Sequence, residues 1–374
     1  MTMVKSDAVG ITPRARLIAF YLPQFHPIPE NDQWWGKGFT EWTNVAKALP
    51  LFKGHSQPNL PGELGFYDLR VPEVREAQAQ LAREHGIEAF CYWHYYFGNG
   101  KRLLERPFNE VLKSGQPKFP FCLAWANQTW SGTWYGCPDK VLMAQDYPGP
   151  KDHESHFFSL LEAFHDPRYV TVKGMPLFVI YSPHTLPEPH RFVDQWRELA
   201  LKNGLNGIYF VGIVNDRRWG PQLFGIDGTI LHAPGIYFDV LKEMNRSGLI
   251  GKLNGRLKKW REAFWPSPTI YRFEDYLELA LPQLARDHEQ FPCVVPNWDN
   301  TPRSGHGGFV LLNCTPDLFG LHLKGAVEQV VHRAFDNRLI FVKAWNEWAE
   351  GNYIEPDQKC GRGYLQAVRR VVLD

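Results

Sequence analysis

Eight short apolar runs punctuate the chain, at residues 17–22, 87–92, 119–125, 176–181, 208–214, 228–232, 293–298 and 339–345. Each is continuous rather than alternating, the pattern of strands buried on both faces of a parallel sheet. Between them lie stretches of helical periodicity at 72–86, 103–114, 153–165, 191–204, 274–287, 321–335 and 363–373, with a weak one at 216–225. In the first, Pro72 suits the opening turn, Val74, Ala77 and Leu81 recur at spacings of three and four, and Gly86 suits the C-terminal cap. Strands alternating with helices predict an α/β fold, a single (β/α)8 TIM barrel, in preference to a doubly wound open sheet. Residues 1–15 read as an N-terminal extension and 16–374 as one barrel domain, undivided by repeat, low-complexity tract or linker.

Loop lengths give this barrel a working end. The expected helix-to-strand links are short (Gly86, 114–118, 203–207, 336–338), whereas strand-to-helix links are long (23–71, 126–151, 233–273, 299–318). In a barrel the latter all emerge at the C-terminal face, where active sites are built. Ordinary connections run to roughly 4–6 residues, so loops this long are functional or disordered. These are rich in Trp, Tyr, Asn and Gly rather than Ser, Lys and Glu, which argues for order.

Composition narrows what that face handles. Of 374 residues 44% are hydrophobic and 22% charged, with 41 Lys+Arg against 40 Asp+Glu and a net charge of +1. That balance excludes wholesale disorder and argues against nucleic acid, whose phosphates call for an electrostatic excess. Aromatic residues reach 14%, as 14 Trp, 15 Tyr and 25 Phe. Trp and Tyr join a polar tip to a flat apolar body, which suits wet sites that also need stacking. Six cysteines, at 91, 122, 137, 293, 314 and 360, form no CxxC and read as free thiols of a reducing compartment. No signal-like run opens the chain and none reaches 18 apolar residues, so the expectation is a cytoplasmic protein without a membrane span. The pattern leaves the oligomeric state open.

The last predicted strand runs into Ala344-Trp345-Asn346-Glu347-Trp348-Ala349-Glu350-Gly351-Asn352-Tyr353-Ile354-Glu355-Pro356-Asp357, four acids in aromatic company. Glu347 and Glu350 stand three apart, so a helical or turn-like exit brings their carboxylates to about 5–6 Å. Such a pair repels, and partial burial raises the pKa of at least one, separating a proton donor from a base as glycosidic cleavage requires. Other predicted strand ends converge on the same face: Tyr21, Gln24 and His26; Tyr92, His94 and Tyr95; Trp125 and Asn127; Asn215; His232; Trp298 and Asp299; and Asn346 beside the acids. Flat indoles suit the CH faces of sugar rings, while amides and imidazoles suit hydroxyls. Metal chemistry is the rival, with His26, His94, His232 and Asp299 as candidate ligands. No HxH or HExxH is present, and neither a metal nor another cofactor is expected. Phosphate-loop motifs are absent, as is the acidic DxD pattern common in sugar-nucleotide transferases.

Several stretches carry a family resemblance: Ala19-Phe20-Tyr21-Leu22-Pro23-Gln24-Phe25-His26, then Trp34-Trp35-Gly36-Lys37-Gly38-Phe39-Thr40-Glu41-Trp42-Thr43-Asn44-Val45, then Gly100-Lys101-Arg102-Leu103-Leu104, Pro120-Phe121-Cys122-Leu123-Ala124-Trp125-Ala126-Asn127 and Trp345-Asn346-Glu347-Trp348-Ala349-Glu350-Gly351. Over about residues 16–372 the chain resembles the WbsX-like family of bacterial polysaccharide clusters, which is related to glycoside hydrolase family 99, the endo-α-mannosidases and endo-α-mannanases. The resemblance implies a (β/α)8 barrel and retention through neighbouring-group participation. Glu347 would draw the proton from a sugar 2-hydroxyl, whose oxygen attacks the anomeric carbon to give a 1,2-anhydro sugar. Glu350 would protonate the leaving oxygen and then activate water or an acceptor hydroxyl. That scheme needs a 2-hydroxyl trans to the leaving group, as in α-mannosides or α-rhamnosides.

In one stretch the chain departs from the family pattern, Trp-Ala-Asn-Glu-Asn-Trp-Thr-Arg-Arg-Trp, and reads Trp125-Ala126-Asn127-Gln128-Thr129-Trp130-Ser131-Gly132-Thr133-Trp134. A carboxylate and two guanidinium groups give way to neutral residues, which bears on the substrate rather than on the acid pair. The expected function is hydrolysis of a mannose- or rhamnose-type poly- or oligosaccharide. Glycosyl transfer in surface-polysaccharide synthesis is the second reading, and a non-catalytic carbohydrate-binding barrel the third. Trp34, Trp35, Trp42, Trp125, Trp130, Trp298 and Trp348 are expected to line one cleft around Glu347 and Glu350, with Glu41 and Glu355 among its polar residues.

Overall fold

The computed structural model describes residues 12–132, 137–237, 267–280, 284–285 and 287–374. Nine parallel strand segments form a nearly closed barrel. In chain order its strands are β1 (Arg16–Tyr21), β2 (Ile87–Tyr96), β3 (Phe121–Trp125), β4 (Met175–Ile180), β5 (Tyr209–Val214), β6 (Gly228–Leu231), β7 (Gln290–Phe291 and Cys293–Val294) and β8 (Leu339–Val342). Each pairs in parallel with its sequence neighbours, and β1 pairs with β8. The two halves of β7 divide the closure: Gln290–Phe291 pairs with β6, and Cys293–Val294 pairs with β8. Pro292 sits at the break, where it has no N–H to offer a ladder but still accepts from Phe341 N–H (2.9 Å).

Strand residues alternate between two layers, as the pleat requires. Inward, Phe20 stacks on Trp93 (4.7 Å between centroids) and on Phe341 (5.5 Å), and Trp93 meets Tyr181 edge-on (5.5 Å). Outward side chains pack on helices α1 (Pro72–Glu84), α2 (Arg106–Ser114), α3 (Pro150–His165), α4 (Pro189–Lys202), α5 (Phe273–Ala280), α6 (Pro316–Val330) and α7 (Gly363–Val372). Trp196 of α4, fully buried against Phe157, Phe178 and Phe192, shows how aromatic this outer layer is.

Local chemistry accounts for the differences from the sequence expectation. Helix α6 spans Pro316–Val330 rather than 321–335 because Thr315 caps it, accepting from Leu318 N–H (3.2 Å), with Pro316 at its first position. Helix α2 starts at Arg106, not 103, because Arg102–Leu103 pairs antiparallel with the far end of β2. Region 216–225 holds only the 3-10 turn Pro221–Leu223. Strand β7 begins at Gln290 and ends at Val294, ahead of the expected 293–298. Of the expected helix 274–287, residues 281–283 and 286 lie outside the described residues, as do residues 1–11 of the expected extension. No described helix is long and apolar enough to cross a membrane. Cys91, Cys122, Cys293, Cys314 and Cys360 are free thiols.

At the C-terminal face the long loops carry small elements of their own. The β1–α1 loop holds helices Pro29–Trp35 and Glu41–Ala46, and the β3–α3 loop the hairpin Trp130–Gly132 with Cys137–Met143. The β7–α6 loop holds the helical turn Thr301–Ser304 and strand Phe309–Leu312, which pairs with Thr269–Arg272.

Candidate active site

Asn346 fixes the exit of β8 by acting as a surrogate peptide group. Leu22 N–H donates to its Oδ1 (2.7 Å), and its Nδ2 donates to Leu22 O (3.1 Å). This bond pair clamps β1 to the chain entering the site and satisfies backbone groups buried from water. Glu347 follows in a hairpin, Asn346–Glu347 against Asn352–Tyr353. The 3-10 turn Trp348–Glu350 then brings Glu350 round, closed by Gly351 N–H donating to Trp348 O (2.9 Å). The turn-like exit expected from the spacing is therefore present.

Facing the two acids is Arg303, on the turn Thr301–Ser304. Its three guanidinium nitrogens each donate to a different carboxylate: Nε to Glu41 (2.7 Å), Nη1 to Glu350 (2.7 Å) and Nη2 to Glu347 (3.0 Å). None of these four side chains is more than 12% exposed. Burial, and then the charge of Glu350, push the Glu347 carboxyl up to about 7 against the pull of Arg303. Burial opposes the Arg303 charge, but Glu41, Glu350 and Glu347 hold its pKa well above the usual range. Below them lies Lys343, whose Nζ sits 5.2 Å from the centre of the Trp298 ring. Burial opposes this ammonium too, yet Tyr181, Glu350 and Glu347 keep its pKa raised. Glu41, Glu347 and Glu350 outnumber Arg303 and Lys343 by one charge, and Glu347 is the carboxyl among them that burial and its neighbours raise. A carboxyl raised to about 7 can take a proton and give it back near neutral pH.

Asp299 organises this arrangement. Its Oδ1 accepts from Thr301 N–H (3.0 Å) and Oγ–H (2.6 Å), and its own N–H donates to Glu350 O (2.7 Å). Its Oδ2 accepts from Gln57 Nε2 (2.6 Å) and His55 Nε2 (2.7 Å). Leu51 N–H donates to His55 Nδ1 (3.0 Å), which leaves the imidazole proton on Nε2. Asp299 thus ties the Arg303 turn, the Glu350 backbone and the β1–α1 loop together.

The remaining sequence candidates divide by the face their strand presents. Tyr95 points into the site, its hydroxyl pKa raised by burial and then by Glu347, and its ring meets Trp130 edge-on at 5.0 Å. Trp130 also meets Trp34 (6.0 Å), and Trp34, Trp35 and Trp130 keep partial exposure. His232 bonds Tyr181 Oη through Nε2 (3.0 Å). Gln24 is half-buried, and its carbonyl accepts Glu41 N–H (3.1 Å). Four other candidates face the helices instead. Tyr21 donates to Gln78 (2.7 Å), Tyr92 packs on Phe108 (5.5 Å), and His94 bonds His156 between Nε2 atoms (2.8 Å). Trp125 donates to Tyr96 O (2.8 Å) and packs on Phe192 (5.5 Å).

The expected seven-tryptophan cleft is corrected accordingly, because Trp125 lies between barrel and helices. Trp348 is buried to 1%, stacked on Tyr353 (3.8 Å) and meeting Trp42 at 5.5 Å. Glu355 is a buried acceptor for Trp348 (2.6 Å), Gln78 (2.6 Å) and Tyr67 (2.9 Å), and burial pushes it up to about 7 despite those bonds. Asn127 links the β3 and β4 exits, donating to Ser182 O (2.9 Å) and accepting from Ser182 N–H (2.8 Å). His26 is buried and Asn215 exposed. In the stretch that departs from the family pattern, Gln128 donates to Ser182 Oγ (3.1 Å), while Thr133 and Trp134 lie outside the described residues. Among the described residues no group of three or more His, Cys, Asp or Glu is arranged to hold a metal ion.

Sequence reasoning missed Arg303 and Lys343. A signal for Arg303 existed: it is the sole Lys or Arg in the 299–318 loop, and a cluster of acids at a barrel mouth requires a cation. Lys343, four residues before Glu347, falls at the inward end of β8 once strand parity is followed.

Comparison with known proteins agrees with this architecture. The profile of the family described as Glycosyltransferase WbsX matches residues 17–368. The uncharacterised protein WxcX of Xanthomonas campestris pv. campestris (strain B100) is 38% identical over 370 residues, covering 98% of this chain and 51% of WxcX. The chain therefore spans about half the length of that relative. Among solved structures, the GH99 endo-α-mannosidase of Bacteroides thetaiotaomicron in complex with bis-tris-propane superposes with a TM-score of 0.57 at 15% identity, over 95% of each chain. A glycoside hydrolase-like protein superposes with a TM-score of 0.57 at 13% identity, over 96% of this chain and 94% of its own. At these identities the likeness is one of fold, a TIM barrel, whereas the profile and WxcX establish kinship: the chain belongs to the WbsX glycosyltransferase family.

Proposed function

We propose that the chain is a carbohydrate-active enzyme that cleaves α-mannoside- or α-rhamnoside-type bonds with retention, using Glu347 and Glu350 without a metal. The observation carrying this reading is that Arg303 gathers Glu41, Glu347 and Glu350 at one barrel mouth, with the Glu347 carboxyl pushed up to about 7. Glu347, ionised, takes the proton of the sugar 2-hydroxyl, and that oxygen forms a bond to the anomeric carbon. The glycosidic bond breaks as Glu350 gives its proton to the departing oxygen. Water then gives a proton to Glu350 and bonds to the anomeric carbon, the anhydro ring opens, and the 2-oxygen recovers its proton from Glu347. Two inversions give net retention, and the acids end as they began. Tyr95, Trp130 and Trp34 provide the flat surfaces a pyranose ring needs.

The second reading replaces water by a sugar hydroxyl, which makes the same site a transglycosylase or transferase; the family's description as a glycosyltransferase favours it. Both predict that Glu350→Gln removes turnover on an α-linked manno-oligosaccharide, by at least about a hundredfold, while oligosaccharide binding persists. Product chromatography and calorimetry on the same protein test this, and an unchanged rate removes Glu350 from the mechanism.

A further inference from the structure

Arg303 holds the carboxylate of Glu347, but the backbone that carries this side chain must be held as well. The neighbours of Glu347 in sequence point away from the mouth, as successive residues of an extended exit do. Asn346 is fully buried and clamps Leu22, and its Nδ2 also donates to Tyr67 Oη (3.3 Å). Trp348, also buried, donates from Nε1 to Glu355 (2.6 Å). Both neighbours lead to one group. Tyr67 Oη donates to Glu355 Oε2 (2.9 Å), the same oxygen that accepts from Trp348, and Gln78 Nε2 donates to Oε1 (2.6 Å). Glu355 thus joins the exit of β8 to the β1–α1 loop and to α1, where the Tyr21 hydroxyl holds Gln78 (2.7 Å).

Glu355 is itself 1% exposed, too deep to touch a sugar, and among the described residues no Lys or Arg lies within ion-pair distance of it. A buried carboxylate with no cation beside it is unfavourable, and an apolar side chain would fill the same space at lower cost. What a carboxylate adds is a pair of oxygens that accept from three elements at once. We propose that Glu355 is a positioning residue for Glu347: it holds Trp348 directly and Asn346 through Tyr67, and so fixes the segment from which Glu347 meets the sugar 2-hydroxyl. The inference rests on Glu347 being the base of the proposed reaction.

The test is steady-state kinetics on an α-linked manno-oligosaccharide, at a temperature where melting curves show each protein folded. Tyr67→Phe removes one hydroxyl, remote from the sugar, and leaves the ring in place. It should lower kcat by about tenfold or more while KM stays within about twofold, because the base is misplaced and binding is not. Glu355→Leu should lower kcat at least as far, Glu355→Gln should recover part of the loss, and adding Tyr67→Phe to Glu355→Leu should cost nothing further. An unchanged kcat in Tyr67→Phe, a loss confined to KM, or effects that multiply in the double variant would overturn the proposal. Should Glu355→Leu fail to fold, the kcat and KM of Tyr67→Phe decide alone. Turnover by the unaltered protein with kcat intact in the variants sinks this inference alone, and no turnover by the unaltered protein sinks the proposed reaction with it.

Discussion

Arg303 sets the behaviour of the acids around it. By donating to Glu41, Glu347 and Glu350 at once, it fixes where each carboxylate stands and lowers the pKa that burial and Glu350 raise at Glu347. Arg303→Gln should therefore raise the midpoint of the acidic limb of kcat/KM above about 7, because a base that must be ionised would hold its proton to higher pH. The same change should lower kcat/KM by about a hundredfold through misplacement of the pair. A pH profile of both proteins checks this, and a limb that stays put would separate Arg303 from Glu347. At this scale the acid pair was legible in the sequence because both residues fall in one motif at a strand exit. Tyr92 and His94 were misread for a physical reason: consecutive strand residues face opposite layers, and Trp93 and Tyr95 take the inward positions.

Among the elements, the exit of β8 and the Arg303 turn are built as one unit, joined where Gly351 passes Asp299. Gly351 has φ +55°, and a Cβ there would stand 2.8 Å from Asp299 N and 3.0 Å from Asp299 O. Both neighbours are backbone, so neither can swing aside. Gly351→Ala should cost about 1–3 kcal/mol of stability, seen as a lowered melting temperature, and lose activity beyond what the unfolded fraction explains. Activity that simply tracks the folded fraction would mean that the contact does not position Glu350. The strands and most helices were legible because apolar runs and caps are local signals. The Arg303 turn was not: it spans only Thr301–Ser304, and Asp299 holds it to His55 and Gln57 from a loop some 240 residues earlier in the chain.

Across the molecule, buried acids make stability depend on pH in a defined window. Glu347 and Glu355 both titrate at about 7 in the folded protein, well above the ordinary value of 4.5. The folded state therefore holds protons that the unfolded chain has released, and that stabilisation is lost as pH rises through about 7. The buried histidines, lowered in the fold, act in the opposite sense, because the unfolded chain still binds protons on them up to about pH 7.5. The share of one acid is therefore read as a difference: between pH 5 and 8 the melting temperature of the unaltered protein should fall relative to that of Glu355→Gln, by the equivalent of about 2–3 kcal/mol. Calorimetric melting of both proteins across that range checks it, and a difference that stays flat or rises would contradict the raised value at Glu355. The barrel itself was legible from alternation and loop length, and near-neutral charge and abundant aromatic residues pointed to a glycan. Charge placement was not legible, since Arg303 and Lys343 matter only through residues distant in sequence. The central claim is retaining cleavage by the Glu347 and Glu350 pair. The most direct measurement follows an α-manno-oligosaccharide by proton NMR in the first minutes after the protein is added. The account predicts new reducing ends that appear first as the α anomer and only later equilibrate. First-formed β anomer, or no reducing ends until a sugar nucleotide is supplied, would contradict it.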